Sequence, residues 1–522
     1  MRPAASVGQA AGPGRCRQRA QVRTGRFYPT ERGRCLHGLG PVTTLDPNFL
    51  AAMASVPAAA WIRWFGANAA PSATPTSPAH TLLAAFALPP ALGHAAICVF
   101  ETSVGPDQGA LHQAALRRWA GPAPLDAEVL HIEYAADGTV LWTLSSAWAD
   151  DDLRSWLREA LSAGASIRAD GWEWLATPER VAMSRNMMGE SRQIPRRRHD
   201  IVLFAPCVVG IVYRPLTRAA SPELDLLRHL ERVPGARVAP VLLGSAIIRS
   251  PNGQRSASAA LEDILPDAAT VRSVLVSRLR RALDGDPSLQ AVALDDVRAV
   301  GVITRELHAA LGRPFDHGVI AGAIPATCAD VDVWVARAWG ALGNASLAYK
   351  RVISQHTGLV AALQLLPGKL QQFAAAAESA PGLTHRTHGN LRLDTVLMSP
   401  PRSLSVVELD GDSSLSDHER IMPQSPWRDV ARLLVSIAET AAAAACDAGG
   451  DEKALEIAWL WEREARKAYL DGYGSGGGAL HALLAIFELD FASQLLLESL
   501  VSDGIESHVA AHTLQRLSRT IV

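Results

Sequence analysis

A chain of 522 residues exceeds what one hydrophobic core serves and divides into roughly two to four domains. With 48% apolar residues and 50 Lys+Arg against 52 Asp+Glu, it is a globular composition. It carries no overall charge bias toward nucleic acid or an anionic membrane. The six cysteines, Cys16, Cys35, Cys98, Cys207, Cys328 and Cys446, are scattered without a CxxC pair. That spacing argues against a zinc site or disulfide framework and for a reducing, cytoplasmic setting.

Residues 1–57 carry eight arginines from Arg2 to Arg34 against only Glu31 and Asp46, with no apolar periodicity. They read as a disordered tail, or as sequence upstream of a start at Met53. Residues 58–173 have a sheet-like pattern, with AAICVFE, AEVLHIEYA and TVLWTLSSA as strands and an Ala-Asp-Gly turn at 136–138. The apolar stretch Leu82–Phe100 contains Pro89, Pro90 and His94, so it reads as buried strand or helix rather than a membrane span. DDLRSWLREAL, with aspartates at its positive end, is a helix laid on that sheet.

Residues 174–265 form a second small unit: strands in DIVLFAP and CVVGIVYRPL, a helix from Ser221 with Pro222 at its first position, and further strands around a Pro-Asn-Gly turn at 251–253. From 266 to 522 the spacing is helical, with the alanine run at 441–445 read as helix end and loop. GYGSGGGA, Gly472 to Ala479, has no lysine after its glycines and reads as a flexible link rather than a phosphate loop.

One interruption of the helical region holds the chemistry. HGNLRLDTVL at 388–397 is followed by ELDGDSS at 408–414. Phosphoryl transfer needs groups that grip phosphates, a divalent metal on oxygen ligands, and a carboxylate beside the acceptor hydroxyl. At the position suited to such a base stands Asn390, whose amide can hydrogen-bond a hydroxyl but cannot take its proton near neutral pH. Glu408, Asp410 and Asp412 alternate, which places all three on one face if the strand continues, and their hard oxygens suit magnesium. Asp394 approaches the same site if the loop coils tightly, or else solvates a turn.

Several stretches then resemble, in order, bacterial maltokinases with their N-terminal cap domain: RWFGAN, VYRPLTRAASPELDLLRHL, ITRELHAAL, HGNLRLDTVL, ELDGDSS, QSPWRDVARLLVS and WEREARKAYLDGY. The resemblance implies an α+β, protein-kinase-like two-lobed fold with an additional N-terminal α+β cap domain. It also implies ATP and Mg²⁺ as cofactors, and transfer of the ATP γ-phosphate to the anomeric hydroxyl of maltose for α-glucan synthesis. Carried over by position, the phosphate-gripping lysine falls on Ile211, three before Arg214, and its helix glutamate on Asp225. The catalytic aspartate falls on Asn390, the amide metal ligand on Thr395 and the metal aspartate on Glu408, while Asp410 and Asp412 persist. Arg428 and Asp429 are expected to tie their helix into the large lobe.

An isoleucine cannot replace a phosphate-binding lysine. Together with Asn390, Thr395 and Glu408 it leads to a catalytically degenerate maltokinase-like protein, a pseudokinase with a protein partner such as an active maltokinase, a trehalose synthase or another α-glucan enzyme. One alternative is an active sugar kinase with relocated acids: Asp394 or Asp410 orients the acceptor, and Glu408 with Asp412 holds magnesium. Another is a saccharide sensor for maltose or α-glucan, with Trp427 and Trp461 stacking on the sugar. The basic run at 196–199 reads as solvated, or as a substitute phosphate grip.

Overall fold

The computed structural model describes residues 46–65, 80–89, 92–102, 109–125, 127–180, 191–195, 199–204, 207–217, 221–283, 285–286, 288–314, 322–349, 357–412, 415–474, 478–500 and 505–521. Of the sequence motifs, 1–45 of the N-terminal tail, 66–68 of RWFGAN, 196–198 of the basic run, 205–206 of DIVLFAP, 218–220 of VYRPLTRAASPELDLLRHL, 413–414 after the acidic segment and 475–477 of the glycine-rich link lie outside this set.

The first sheet is antiparallel, in the spatial order His80–Ala87, Ala95–Thr102, Leu111–Ala120, Val140–Ser146, Val129–Tyr134, and Pro215–Leu216 adds to the Leu111–Ala120 strand. The Leu82–Phe100 stretch thus supplies two paired strands, Ala84 opposite Val99 and Phe86 opposite Ile97. Helices Pro47–Ser55 and Ala58–Phe65 close one face, burying Phe49, Met53, Trp61 and Trp64 with Phe100, Leu116 and Leu144. The first of these helices starts at Asp46, whose carboxylate accepts the Asn48 N–H at 3.0 Å.

The second sheet runs Ala165–Ala169, Trp172–Pro178, Val241–Arg249, Arg255–Asp263, Val208–Tyr213, His199–Phe204, Ser191–Pro195. Helix Asp151–Ala163 begins where Asp150 accepts the Asp152 N–H at 2.8 Å and ends at Gly164, φ 86°. It packs so closely on the sheet that a Cβ at Gly244 would lie 2.2 Å from the Leu161 carbonyl oxygen. Only glycine permits that approach.

Arg214 joins the two sheets. Its guanidinium donates to Asp200 at 2.8 Å, to Glu128 and to the Trp64 carbonyl at 3.2 Å. Burial alone would favour loss of its proton, but the Asp200 and Glu128 carboxylates outweigh that and raise its hold on it.

Beyond Asp263 the chain enters a helical lobe: Val271–Leu283, Ser288–Leu311, Cys328–Tyr349, Thr357–Glu378, Pro426–Asp447, Glu452–Tyr473, Gly478–Ser499 and Glu506–Arg519. Gly301 and Gly472 let two of these touch backbone to backbone, since a Cβ on either would sit 2.2 Å from a carbonyl of the other helix. The alanine run at 441–445 is not a helix end: it lies inside Pro426–Asp447, and Ala441, Ala442, Ala444 and Ala445 are buried among other helices. Small side chains there permit close packing. Trp427 and Trp461 are core residues rather than sugar platforms, 7% and 5% exposed. No described helix is long and apolar enough to cross a membrane.

Replacing Arg214 by alanine removes the buried guanidinium that holds the Asp200 and Glu128 carboxylates. Urea unfolding should show a loss of about 3–5 kcal/mol, and a loss below about 1 kcal/mol would show that Arg214 is not the tie.

Candidate functional site

Helix Pro426–Asp447 starts at Ser425, whose hydroxyl accepts the Trp427 N–H at 3.4 Å. That start places Asp429 in the first turn, where the helix dipole favours a carboxylate. Asp429 is fully buried and accepts the N–H groups of His388 and Gly389, each at 2.8 Å, and His308 Nε2 at 3.2 Å. His308 Nδ1 lies 3.0 Å from the Tyr473 hydroxyl. Burial works to raise the Asp429 pKa, but the His308 hydrogen bond and charge overcome it and hold the carboxyl below its usual range. The pKa of nearby His385 is also lowered, to about 4, first by burial and then by His308, which favours its neutral form.

The pinned loop in turn positions the acidic segment. His388 Nε2 bonds the Val407 carbonyl at 2.9 Å, and Gly389, φ 83°, lies so near Gly411 that a Cβ would be 3.0 Å from the Gly411 Cα. Asn390 therefore sits beside Glu408–Asp412, as its motif suggested. The three acids do not share one face. Glu408 takes a left-handed φ of 61° and Gly411 one of 85°, so the chain turns within the segment instead of continuing as a strand. Asp410 meets His199 Nε2 at 3.5 Å on the sheet side and lines a cavity of about 30 Å³ with Tyr213 and Arg420. Asp412 faces the helical side, 3.2 Å from Arg428 and 3.8 Å from Arg337.

The remaining sequence candidates have other partners. The Thr395 hydroxyl accepts the Arg392 N–H and donates to the Arg392 carbonyl, both at 3.0 Å, closing its own turn. Asp394 pairs with Arg392 at 3.5 Å and Arg272 at 3.7 Å. Ile211 lies in the core, between Ile201 and Ala260 on the neighbouring strands. Asp225 has Arg228 and Arg386 as its charged neighbours, and burial outweighs both in raising its pKa. Arg214 is the inter-sheet tie described above.

Sequence reasoning missed a buried cluster on the sheet side. Two residues after Ile211, the Tyr213 hydroxyl donates to Glu223 at 2.5 Å, and Glu223 rather than Asp225 is the buried acid of its helix. Burial, then the charges of Glu262 and Asp410, push Glu223 well above the carboxylate range. Glu262 is pushed to about 8, first by burial and then by Glu408, and its Oε1 has no hydrogen-bond partner. The signal was present in ALED, where an acid interrupts a buried apolar strand.

On the helical side a cavity of about 490 Å³ is lined by Trp334, Arg337, Gln424, Arg428 and Asp490. Arg337 Nε and Arg428 Nη1 hold Asp490 at 2.9 and 3.1 Å. Only Arg428 among these was singled out by sequence.

Glu408 and Asp410 both act on Glu223 by their charge, and their hard oxygens are of the type that would hold a magnesium ion completing its shell with phosphate oxygens and water. Among the described residues no group of three or more His, Cys, Asp or Glu is placed to hold a metal unaided. The phosphate grip does not fit, because an aliphatic side chain stands at 211.

No protein-family profile matches the sequence. A glucosamine kinase in complex with glucosamine, ADP and inorganic phosphate superposes with a TM-score of 0.58 at 20% identity, over 86% of this chain and 95% of that one. A second crystal form of a glucosamine kinase gives 0.59 at 19% identity, over 83% and 92%. The chain has the fold of a small-molecule kinase. Its mixed α/β, two-lobed, kinase-like architecture agrees with the two-lobed part of the fold expected from the sequence.

Two measurements probe this small-molecule-kinase scaffold. Asp429→Ala leaves two buried N–H groups without their acceptor and should cost about 3–5 kcal/mol in denaturant unfolding. Folded Glu262 keeps its proton up to about pH 8, whereas the unfolded chain releases it near 4.5, so the folded state binds more protons between and stability falls as pH rises through that window. Glu262→Gln should therefore raise the melting temperature more at about pH 8.5 than at about pH 5. An equal shift at both would show an ordinary pKa.

Proposed function

We propose that the protein is a phosphotransferase of the sugar-kinase class, taking a compact polyhydroxy or amino-sugar acceptor in the Trp334–Asp490 cavity. The observation that carries this reading is the turn within Glu408–Asp412, which directs Asp410 to the sheet lobe and Asp412 to Arg428 in the wall of that cavity, in the fold of glucosamine kinases. Exposed Val333 and Met422, also in the lining, offer an apolar wall to sugar C–H groups. Asp490, already fixed by two guanidinium groups, is the acceptor for a sugar hydroxyl or ammonium. Asn390 orients the reacting hydroxyl through its amide, and Asp412, paired with Arg428 of the cavity wall, is the carboxylate of the acidic turn on that side to receive the proton. ATP-borne magnesium would supply charge neutralisation of the transferring phosphoryl group, with Glu408 and Asp410 as its protein oxygens.

A second reading, a non-catalytic maltokinase-like regulator of α-glucan metabolism that acts through a protein partner, is favoured by Ile211 in the core and by the Thr395 hydroxyl closed on its own turn. Both readings accommodate a saccharide. Only the first requires magnesium-dependent ATP turnover.

The purified chain with ATP, magnesium and either glucosamine or maltose should transfer phosphate, more slowly than about 1 s⁻¹ because an amide stands at the base position. Asp410→Asn should abolish transfer, while Asn390→Asp alone should change it less than about tenfold, since Ile211 still leaves the phosphates without a lysine. Absence of transfer to either sugar, with no magnesium-dependent ATP binding in calorimetry, would leave the regulator reading standing alone.

A further inference from the structure

A second polar cavity, of about 580 Å³, opens between helices Glu452–Tyr473 and Glu506–Arg519, and none of its lining residues belongs to the kinase-like cleft. Each helix contributes two arginines three residues apart, Arg463 and Arg466 on one, Arg516 and Arg519 on the other. One turn earlier on each helix stand Trp459 and His512, whose rings stack at 4.0 Å and 6°. The facing side chains therefore form a ladder, an aromatic step followed by guanidinium steps.

The inner guanidinium groups are built in. Arg466 makes a two-point bond to Glu488 at 2.6 and 3.0 Å, and Arg516 reaches the same carboxylate at 2.8 Å. Glu488 and Glu462 are each 2% exposed, and Glu462 supports Arg466 at 3.6 Å and His512 at 3.4 Å. Arg516 Nε is sealed from solvent yet makes no hydrogen bond. Burial and then the charge of Arg466 lower the hold of Arg516 on its proton, a stress that a nearby anion relieves. At the rim, Arg463 has only exposed Glu464 at 3.4 Å, and Arg519 has no carboxylate partner among the described residues. Glu456 is the one acid that opposes them from the lining without a guanidinium of its own.

We propose that this cavity binds a phosphate monoester on a compact ring, a sugar phosphate being the class it fits. Planar guanidinium forks match phosphate oxygens in pairs, and the two rim arginines supply the positive charge that the buried carboxylates leave over. Trp459 and half-exposed Leu460 provide an apolar wall for ring C–H groups. The volume lies within the range of small-molecule sites. The inference does not depend on catalysis in the cleft.

Calorimetry of the full chain with glucose 1-phosphate and, separately, inorganic phosphate tests it. Glucose 1-phosphate should bind more tightly than phosphate, and Trp459→Ala should remove that difference. The rim variants Arg519→Gln and Arg463→Gln should each weaken binding about tenfold, as expected for loss of one charge-assisted contact. Neither touches the buried network, and an unchanged melting temperature will confirm that the fold is intact. No heat from glucose 1-phosphate up to about 10 mM, equal affinity for the two anions, or affinity unaltered in the rim variants would each overturn the assignment.

Discussion

The kinase-like cleft depends on one buried carboxylate. Asp429 stands in the first turn of a helix, where the dipole and three hydrogen bonds keep it ionised although it is out of water. Two of those bonds come from the backbone of His388 and Gly389, so the loop cannot shift without breaking them. His388 then bonds Val407, and the glycines at 389 and 411 bring the Asn390 loop against the acidic turn. A charge buried at one helix terminus thus fixes the order of groups along the whole floor of the cleft.

On that floor the distribution of charge is uneven. The sheet side gathers Glu223, Glu262, Glu408 and Asp410 about Tyr213, with two of the acids pushed upward by burial and mutual repulsion. Ile211 contributes only apolar surface there, and the Tyr213 hydroxyl makes the contact with the helix acid. The helical side is balanced differently, with Asp412 and Asp490 shared between Arg337 and Arg428. A neutral polar acceptor suits the second environment, whereas a polyphosphate entering the first requires divalent cations.

The same device of acids behind arginines recurs at the C-terminal end, where Glu488 and Glu462 orient Arg466 and Arg516 toward a separate cavity. Arg214 does the opposite: it is enclosed by Asp200, Glu128 and the Trp64 carbonyl and serves only to join two sheets.

What could be read in the sequence was local. Strand alternation, the Asp-Gly turn, the Ser221 cap with Pro222, and the helical periodicity beyond residue 271 each arise from interactions within a few residues, and the structure contains each of them. The nearness of the Asn390 loop to the acidic segment was legible for the same reason, since the two motifs flank a single short hairpin, whereas the kinase-like fold was legible only through the family resemblance. Which way each acid faces was not legible, because a left-handed Glu408 and a turn at Gly411 defeat the period-two rule. Nor was the pairing of Tyr213 with Glu223, the use of Arg337 and Asp490, or the burial of the alanine run, which depend on residues ten to more than a hundred positions apart. Sequence by itself determined the elements and the residue types available for chemistry, whereas tertiary packing decided which carboxylates lost water and which gained a cation, because desolvation and charge pairing are properties of neighbours in space.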